Sequence, residues 1–299
     1  MSEIARERST WRDVILLARP QQWVKNGFVL APLLFSGRVR EPEAIGLASG
    51  ALLAFCLAAS SVYMVNDVVD RVTDQAHPTK RHRPVAAGRI SADSALGIGL
   101  ALALAAIVFA WAVHPTLVVV VASYLGLNVL YTFRLKQMVI LDVFAIAVFF
   151  LLRLLAGSVA IDVRPSIWLI LCGGLLALFL GFAKRRHELL LLGDESTDHR
   201  NVLSEYSTAF LDQMSTVLLA VTVVTYIMYT VSTEKVGEIG SYALVYSTGF
   251  VLYGVFRYLY LVHQRDGGSP TETLLTDRAL LADVVLWVLY CGWVIYRPV

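Results

Sequence analysis

Residues 44–84 read AIGLASGALLAFCLAASSVYMVNDVVDRVTDQAHPTKRHRP. In this stretch a long apolar run ends in three aspartates, Asp67, Asp70 and Asp74, and a block of Lys, Arg and His follows. The aspartates have the spacing that stacks side chains on one face of a helix. Like charges placed in this way repel each other, so something else must hold them there.

The composition points to a lipid bilayer as the solvent of this chain. The 299 residues are 57% hydrophobic and 16% charged, whereas about a quarter of the residues of a soluble domain are charged. The net charge of +2 gives no indication of nucleic acid as a partner. The cysteines Cys56, Cys172 and Cys291 lie within apolar runs and have no metal-site or disulfide spacing. The sequence therefore predicts an all-α integral membrane protein.

Apolar segments of roughly 20 residues can cross the hydrocarbon core as helices. The sequence predicts nine, of which the first is short and begins with Lys25 and Asn26. No Pro-, Gly- or Ser-rich linker divides them, so we expect one membrane domain over 1–299 with an interfacial lead at 1–22. The approximate spans are 23–37, 43–65, 93–113, 115–133, 139–161, 165–183, 214–232, 241–262 and 279–296.

The distribution of Lys and Arg predicts the orientation. Most of them lie in the N-terminal lead and in the loops after the second, fourth, sixth and eighth spans. Cytoplasmic loops carry an excess of these residues, so we expect the N-terminus inside and the C-terminus outside the plasma membrane. The aspartates and the longest basic loops fall on the same inner side, at the interface, where charge costs less than at the bilayer centre.

The aspartate motif favours a magnesium site. Asp67, Asp70 and Asp74, with Asn66, offer hard oxygen ligands at the inner end of a helix, and Mg²⁺ commonly bridges a few carboxylates to substrate phosphates. The alternative is a solvated loop whose acids balance the following cations. The spacing, the adjoining Asn and the position at the end of a span favour the metal site.

Two polar loops carry candidate phosphate-binding residues. In HPTKRHRPVAAG, Pro78, Pro84 and Gly88 rule out one continuous helix, so the loop can fold over the aspartates. Its cations could bind phosphate oxygens or serve only topology and lipid headgroups. The other candidates follow spans four and six or lie at the start of the first span. The candidate set is Lys25, Lys80, Arg81, Arg83, Lys136, Lys184, Arg185, Glu188 and Tyr206.

Several of these residues have a simpler interpretation. Lys184 and Glu188 share a helix face and could form an ordinary i,i+4 salt bridge, and Lys25 could extend to the interface without binding a ligand. Asp194 and Asp198 suggest a second metal site, but the polar run around Gly193 favours a loop. Arg153 lies within a span and needs an internal partner or a cavity.

The motifs together resemble the UbiA-type membrane prenyltransferase superfamily, which has nine membrane helices and an NDxxDxxxD motif after the second. NDVVDRVTD at 66–74 matches that motif in full. Further likeness lies in RPQQWVKN at 19–26, HPTKRHRPVAAG at 77–88, RLKQ at 134–137, RLLAG at 153–157, AKRRHEL at 183–189 and RY…GGSPTE…TDRAL over 257–280. The resemblance implies a UbiA-type helical bundle with a cytoplasmic active-site cavity.

Within that family the resemblance is strongest to members that transfer 5-phosphoribose from 5-phosphoribosyl 1-diphosphate (PRPP) to a polyprenyl phosphate such as decaprenyl phosphate. It implies Mg²⁺ as cofactor and a product that feeds cell-wall arabinan synthesis. Members that prenylate aromatic acceptors usually carry a second aspartate-rich motif after span six, where this chain has Lys184, Arg185 and Glu188. Exchanging carboxylates for cations favours an anionic substrate group over a second metal.

The resemblance implies roles for the motif residues. Asp67, Asp70 and Asp74 would hold Mg²⁺ against the diphosphate, and Lys80 and Arg83 would neutralise the leaving group. Two alternatives remain open at this point. One is a polyprenyl diphosphate transferase acting on an aromatic or quinone-precursor acceptor, which Asp194 and Asp198 would support. The other is a transporter or channel for a phosphorylated solute, although the acids cluster at one interface rather than at midplane depth.

Overall fold

The computed structural model describes residues 11–76, 78–192, 203–264 and 270–296, and in these ranges it contains helices and no strand. Eight of the described helices are long and apolar enough to cross a membrane. The α-helices are α1 Trp11–Ala18, α2 Ala31–Phe35, α3 Pro42–Val69, α4 Arg71–Ala76, α5 Ala92–Val113, α6 Pro115–Phe133, α7 Leu141–Ala160, α8 Ile167–Leu192, α9 Thr208–Thr230, α10 Thr233–Ile239, α11 Thr248–Gln264, α12 Pro270–Thr276 and α13 Arg278–Tyr296. Short 3-10 helices cover Pro20–Leu30, Arg38–Arg40, Lys80–His82, Leu135–Gln137 and Tyr242–Ser247.

The segment predicted as the first span, 23–37, differs from the other predicted spans. It consists of the N-terminal 3-10 helix, Pro20–Leu30, followed by the short helix α2. The N–H of Ala31 donates to the carbonyl oxygen of Phe28, three residues back. Pro32 has no N–H with which to make an α-helical bond to the same carbonyl. This segment is therefore not one of the eight long helices.

Small residues bring the central helices together. Ala51, Ala54 and Ala58 on α3 and Ala106 and Ala110 on α5 are buried in one cluster. A Cβ placed on Gly99 of α5 would lie 3.4 Å from the Cβ of Met64 and 3.5 Å from the carbonyl oxygen of Ser61. Such residues let helix backbones approach closely where lipid removes the hydrophobic drive for association. The packing fixes the C-terminal end of α3, where the aspartate motif begins.

Helix α7 holds the N-terminal 3-10 helix through both ends of its RLLAG sequence. Arg153 donates to Asn26 Oδ1 (2.8 Å), to the carbonyl oxygen of Phe149 (2.7 Å) and to the Tyr124 hydroxyl (3.2 Å). One turn later, a Cβ on Gly157 would lie 1.9 Å from the carbonyl oxygen of Val29. Residues four apart share a helix face, so one face of α7 positions the segment that carries Lys25.

The outer faces of the helices are apolar. On α5 the exposed side chains Leu100, Leu104, Val108 and Trp111 follow one face of the helix. Helices that satisfy their own backbone groups and present apolar side chains outward fit a bilayer. The aspartates at the end of α3 lie away from this apolar surface, because Asp67 and Asp74 are buried in the protein.

Candidate active site

Two of the three motif aspartates converge on one cationic nitrogen. Asp67, at the C-terminal end of α3, is 1% exposed, and Asp74, on α4, is 3% exposed. Arg83 Nη1 lies 3.2 Å from Asp67 Oδ1 and 2.6 Å from Asp74 Oδ2. The two carboxylates therefore share a single positive centre, Arg83. The basic loop folds back over the aspartates to supply Arg83.

Asp70 has a different partner. Helix α3 ends at Val69 and α4 begins at Arg71, so Asp70 lies at the break between them. Its Oδ1 lies 2.8 Å from Lys136 Nζ, in the 3-10 helix Leu135–Gln137. The expectation that the three aspartates share one helix face is wrong, because the break places Asp67 on α3 and Asp74 on α4. Asp67 and Asp74 still meet at Arg83, whereas Asp70 points to Lys136.

Asn66 is held by the neighbouring helix α6. Thr132 Oγ1 lies 2.7 Å from Asn66 Oδ1 and 2.8 Å from the carbonyl oxygen of Asn128. This contact engages the oxygen that would ligate a metal and fixes the orientation of the carboxamide. Thr132 has no sequence signal of its own, because a lone Thr in an apolar run is usually a packing residue.

A cation that the sequence analysis does not single out reaches the site from the N-terminus. Arg19 forms an ion pair with Asp67 Oδ1, and its guanidinium lies 5.1 Å from the centroid of the Tyr63 ring. The available signal is its place in RPQQWVKN, directly before the first predicted span and on the same predicted side as the aspartates. Each of the three carboxylates thus has a cationic partner.

The rest of the basic loop forms a cover that is tied to α1. Arg89 Nε lies 2.7 Å from Asp13 Oδ1, and Arg89 Nη2 donates to the carbonyl oxygen of His82 (3.0 Å). Lys80 lies within electrostatic range of Asp74, Arg83, Lys184 and Glu188. Arg81 is exposed and its Nε contacts the ring of His82 (3.4 Å). The structure brings Lys80 to the site and leaves Arg81 on the outside of the loop.

The cations from the N-terminal 3-10 helix and from α8 meet beside the aspartates. Lys184, Arg153 and Arg19 lie within electrostatic range of Lys25. Lys184 Nζ is 3.8 Å from Glu188 Oε1, the i,i+4 salt bridge that the spacing allows. Lys80, Lys25 and Lys184 come from three distant parts of the sequence. Positive charge gathered in this way can bind an anion.

Arg185 lies in an internal network rather than at the surface of the site. Its side chain is fully buried, with Nη1 2.6 Å from Glu188 Oε2 and Nε 3.4 Å from Asp142 Oδ2. The Tyr206 hydroxyl donates to Asp142 Oδ1 (2.8 Å) and accepts from the N–H of Ile140 (2.6 Å). Arg185, Glu188 and Tyr206 therefore hold the start of α7 against α8. The phosphate-binding role that the sequence suggested for Arg185 stays a prediction.

The same network stabilises an unusual backbone conformation. Ile140 has a φ of +68°, in a region that β-branched residues avoid. Its N–H donates to the hydroxyl oxygen of Tyr206. Burial raises the pKa of this phenol to about 12. Ile140 follows the 3-10 helix that carries Lys136. The network thus supports the turn that presents Lys136 to Asp70.

The donor set around Asp67 and Asp74 suits a divalent cation. Asp67 Oδ2 is buried and has no hydrogen-bond partner among the described residues, and Arg83 Nη1 occupies the point between the two carboxylates. Within the ranges that the structure covers, no three acidic, His or Cys side chains form a ready-made metal cluster. Mg²⁺ commonly uses one or two carboxylates and completes its shell with water and substrate phosphates. Asp194 and Asp198, the possible second site, lie outside the described residues.

The chain resembles known proteins over nearly its whole length. It is 34% identical to the decaprenyl-phosphate phosphoribosyltransferase of Mycolicibacterium smegmatis, over 95% of this chain and 92% of that protein. The protein of the same name from Mycobacterium tuberculosis is 33% identical, over 93% of each chain. A solved structure of a UbiA homolog from Archaeoglobus fulgidus bound to DMAPP and Mg²⁺ superposes with a TM-score of 0.73. The match covers 96% of this chain and 100% of that chain. At 16% identity, it shows a shared fold.

The family comparison agrees with the motifs and the helical architecture. The UbiA prenyltransferase family matches residues 28–283, a range that contains the aspartate motif and the basic loop and ends in the first turns of the last helix. On this match and on the identities above, the chain belongs to the UbiA prenyltransferase family.

Proposed function

We propose that the protein is a Mg²⁺-dependent decaprenyl-phosphate phosphoribosyltransferase. It transfers 5-phosphoribose from PRPP to a polyprenyl phosphate and releases diphosphate. The relatives at 33–34% identity that carry this name support the assignment. The observation that carries it is the pairing of buried Asp67 and Asp74 with a neighbouring group of lysines, Lys25, Lys80 and Lys184. A substrate pair with three phosphate-bearing groups requires both halves of this arrangement.

The aspartates would hold the metal. Asp67 and Asp74 supply the carboxylates, with Asp70 and Asn66 close by, and Asp67 Oδ2 is free to coordinate. Mg²⁺ bound there would neutralise charge on the diphosphate as the bond to C1 of the ribose breaks. Electrostatic stabilisation of developing charge is usually the largest catalytic contribution. Lys80 and Arg83 would add to it from the basic loop.

The acceptor needs binding and orientation rather than a general base. A polyprenyl phosphate is already ionised near pH 7, so its oxygen can attack C1 without losing a proton to the protein. Lys184 and Lys25 would hold a substrate phosphate, because they add positive charge beside the aspartates. Arg185 is buried and shares Glu188 with Lys184, so it would also fix the position of Lys184. The lipid tail would lie along the apolar outer surface between helices.

We also infer nine membrane crossings in a single domain. The N-terminal 3-10 helix has 11 residues and α2 has 5. At about 2.0 Å and about 1.5 Å of rise per residue, the two span about 30 Å together, the thickness of the hydrocarbon core. With eight further helices the count is odd. The excess of Lys and Arg on one side favours a cytoplasmic N-terminus and site, in the plasma membrane.

The test is a transfer assay with purified protein, Mg²⁺, labelled PRPP and decaprenyl phosphate. We expect labelled lipid from the wild-type protein and none from Asp67→Ala. Asp283→Ala is a matched control, because Asp283 is also a buried carboxylate but lies in α13, outside the acidic motif. Failure of the folded wild-type protein to label the lipid would contradict the proposal.

The alternative is transfer of a prenyl group from a diphosphate donor to an aromatic acceptor. The A. fulgidus structures with DMAPP and GPP favour it, because they place prenyl diphosphates in this fold. The same preparation given geranyl diphosphate and 4-hydroxybenzoate separates the two functions. Prenylated product without phosphoribosyl transfer would support the alternative.

A further inference from the structure

Arg19 has a backbone conformation that needs explanation. It joins α1 to the N-terminal 3-10 helix with a φ of +51° and a ψ of +60°, in the left-handed region. Residues other than glycine are disfavoured in this conformation, and those that adopt it gather at functional sites. The surrounding structure must therefore hold the chain in place at Arg19.

The contacts that hold this junction come from the face of α3 that also carries Asp67. Ser60 Oγ donates to the carbonyl oxygen of Ala18 (2.9 Å) and accepts from Trp23 Nε1 (3.1 Å). Ser60, Tyr63 and Asp67 follow each other at helical spacing along α3. The junction is thus built to direct the Arg19 side chain across Tyr63 to Asp67.

The charges of the acidic motif are balanced in this arrangement. Asp67 pairs with Arg19 and Arg83, Asp74 pairs with Arg83, and Asp70 pairs with Lys136. A buried carboxylate without a partner is strongly unfavourable, so a cation must neutralise Asp67 whenever no metal is bound. Arg19 pairs with Oδ1 of Asp67, and a metal ion would bind at the free Oδ2 of the same carboxylate. The two positive charges would lie close together and repel, so Arg19 and the metal compete for Asp67.

A metal ion and a diphosphate together change this balance. The metal takes over the neutralisation of Asp67, and the diphosphate brings several negative oxygens to the same place. A guanidinium released from Asp67 can then pair with a phosphate oxygen, for which its geometry is well suited. The exchange leaves neither the carboxylate nor the arginine without an opposite charge.

We propose that Arg19 is an exchanging counterion: it neutralises Asp67 in the metal-free protein and transfers to the diphosphate of the donor when metal and donor bind. This inference rests on the proposed function, since it takes the aspartate motif as the metal site. It assigns to Arg19 a role in donor binding. It also makes Arg19 an inhibitor of metal binding in the absence of donor.

The proposal predicts effects of opposite sign for one substitution. In Arg19→Gln, Mn²⁺ alone should bind at least about fivefold more tightly, because the competing cation is gone; coupling between ligands is commonly of this size. At saturating Mn²⁺, labelled inorganic diphosphate should bind at least about fivefold more weakly. Arg19→Lys, which keeps the charge, should restore both affinities in part. A purely structural defect would weaken both ligands together.

The measurements are electron paramagnetic resonance of Mn²⁺ and equilibrium binding of labelled diphosphate, both on the full chain in detergent. Arg38→Gln is the matched control: it removes an arginine ion pair, with Glu41, at the opposite end of α3 from Asp67, so both affinities should equal wild type. Circular dichroism and gel filtration verify folding.

Two results would overturn the inference in different ways. Unchanged or weaker Mn²⁺ binding by folded Arg19→Gln, with normal binding by the wild type, would refute the exchange and leave the metal site intact. Equal Mn²⁺ binding by the wild type and Asp67→Asn would show that the motif is not the metal site, and the proposed role of the aspartates would fail with it.

Discussion

At the scale of single residues, the function of each charged side chain depends on what neutralises it. Asp67 and Asp74 share Arg83, whereas Asp70 binds Lys136. Lys80 is different, because its neighbours include both acids and other cations. Burial makes the charge of Lys80 easier to remove than that of a free lysine.

We expect the titration of Lys80 to weaken PRPP binding at alkaline pH, which appears as an alkaline limb in the pH profile of the KM. Burial lowers the pKa of Lys80 below its ordinary value, and the nearby Glu188 opposes this shift only in part. A lowered pKa means that the ammonium loses its proton at a lower pH than a free lysine does. We therefore expect the KM for PRPP to rise with increasing pH before ordinary lysines titrate.

The pH profile of Lys80→Arg provides the check. Arginine stays charged throughout the accessible range, so its alkaline limb should move to higher pH. An unchanged limb in this variant would assign the titration to another group.

At the scale of helices, two contacts between distant elements shape the site. Gly157 lets the backbone of the N-terminal 3-10 helix lie against α7, and Tyr206 ties the start of α7 to the loop before α9. Both contacts fix the positions of candidate site residues, Lys25 in one case and Lys136 in the other.

Gly157→Ala should displace the N-terminal 3-10 helix. The added methyl would lie 1.9 Å from the carbonyl oxygen of Val29, and a backbone atom cannot rotate away. Overpacking of this kind costs about 1–3 kcal/mol or more, so we expect a lower Tm in detergent and weaker donor binding. Gly126→Ala in α6, where nothing lies within 4 Å of the new Cβ, should leave both unchanged. Equal Tm values for the two variants would contradict the described packing.

Tyr206→Phe should weaken the contact between α7 and the loop before α9. It removes the hydroxyl that donates to Asp142 and accepts from Ile140, leaving buried polar groups unsatisfied at about 1–3 kcal/mol each. Thermal unfolding in detergent should show a reduced Tm. The exposed Tyr242 supplies the control, because Tyr242→Phe removes a hydroxyl in contact with solvent or headgroups. A wild-type Tm for Tyr206→Phe would show that the network contributes nothing to stability.

At the scale of the whole molecule, the N-terminal segment decides the topology. Eight described helices are long enough to cross a bilayer, and an even count would bring both termini to the same side. The N-terminal 3-10 helix and α2 together are long enough for a ninth crossing. Their contact with α7 keeps them inside the bundle.

Labelling of single cysteines in intact cells tests this topology. In a background where Cys56, Cys172 and Cys291 are replaced by alanine, Val39→Cys should react with a membrane-impermeant maleimide from outside, because Val39 follows the proposed crossing by the N-terminal 3-10 helix and α2. Ala87→Cys, in the basic loop, should react only after permeabilisation. Protection of Val39→Cys to the same degree as Ala87→Cys would rule out the crossing at this segment.

The sequence by itself determined the solvent, the fold class and the acidic motif of this protein. Apolar runs of bilayer length are a local property of the chain, and so is the spacing of the aspartates at the end of one run. Motifs spread over the whole sequence also indicated the relation to UbiA proteins. These features can be read without knowing which helices are neighbours.

Only the tertiary structure decided which charges meet. The pairing of Arg19 with Asp67, the orientation of Asn66 by Thr132 and the burial of Arg185 against Asp142 each join residues of different helices or loops. Hydrophobic periodicity says nothing about such pairs. A cation near the end of a span can set the topology, bind lipid headgroups or bind substrate, and the sequence pattern is the same in each case. The physical reason is that ion pairing depends on distance in space and on burial, and helix packing sets both.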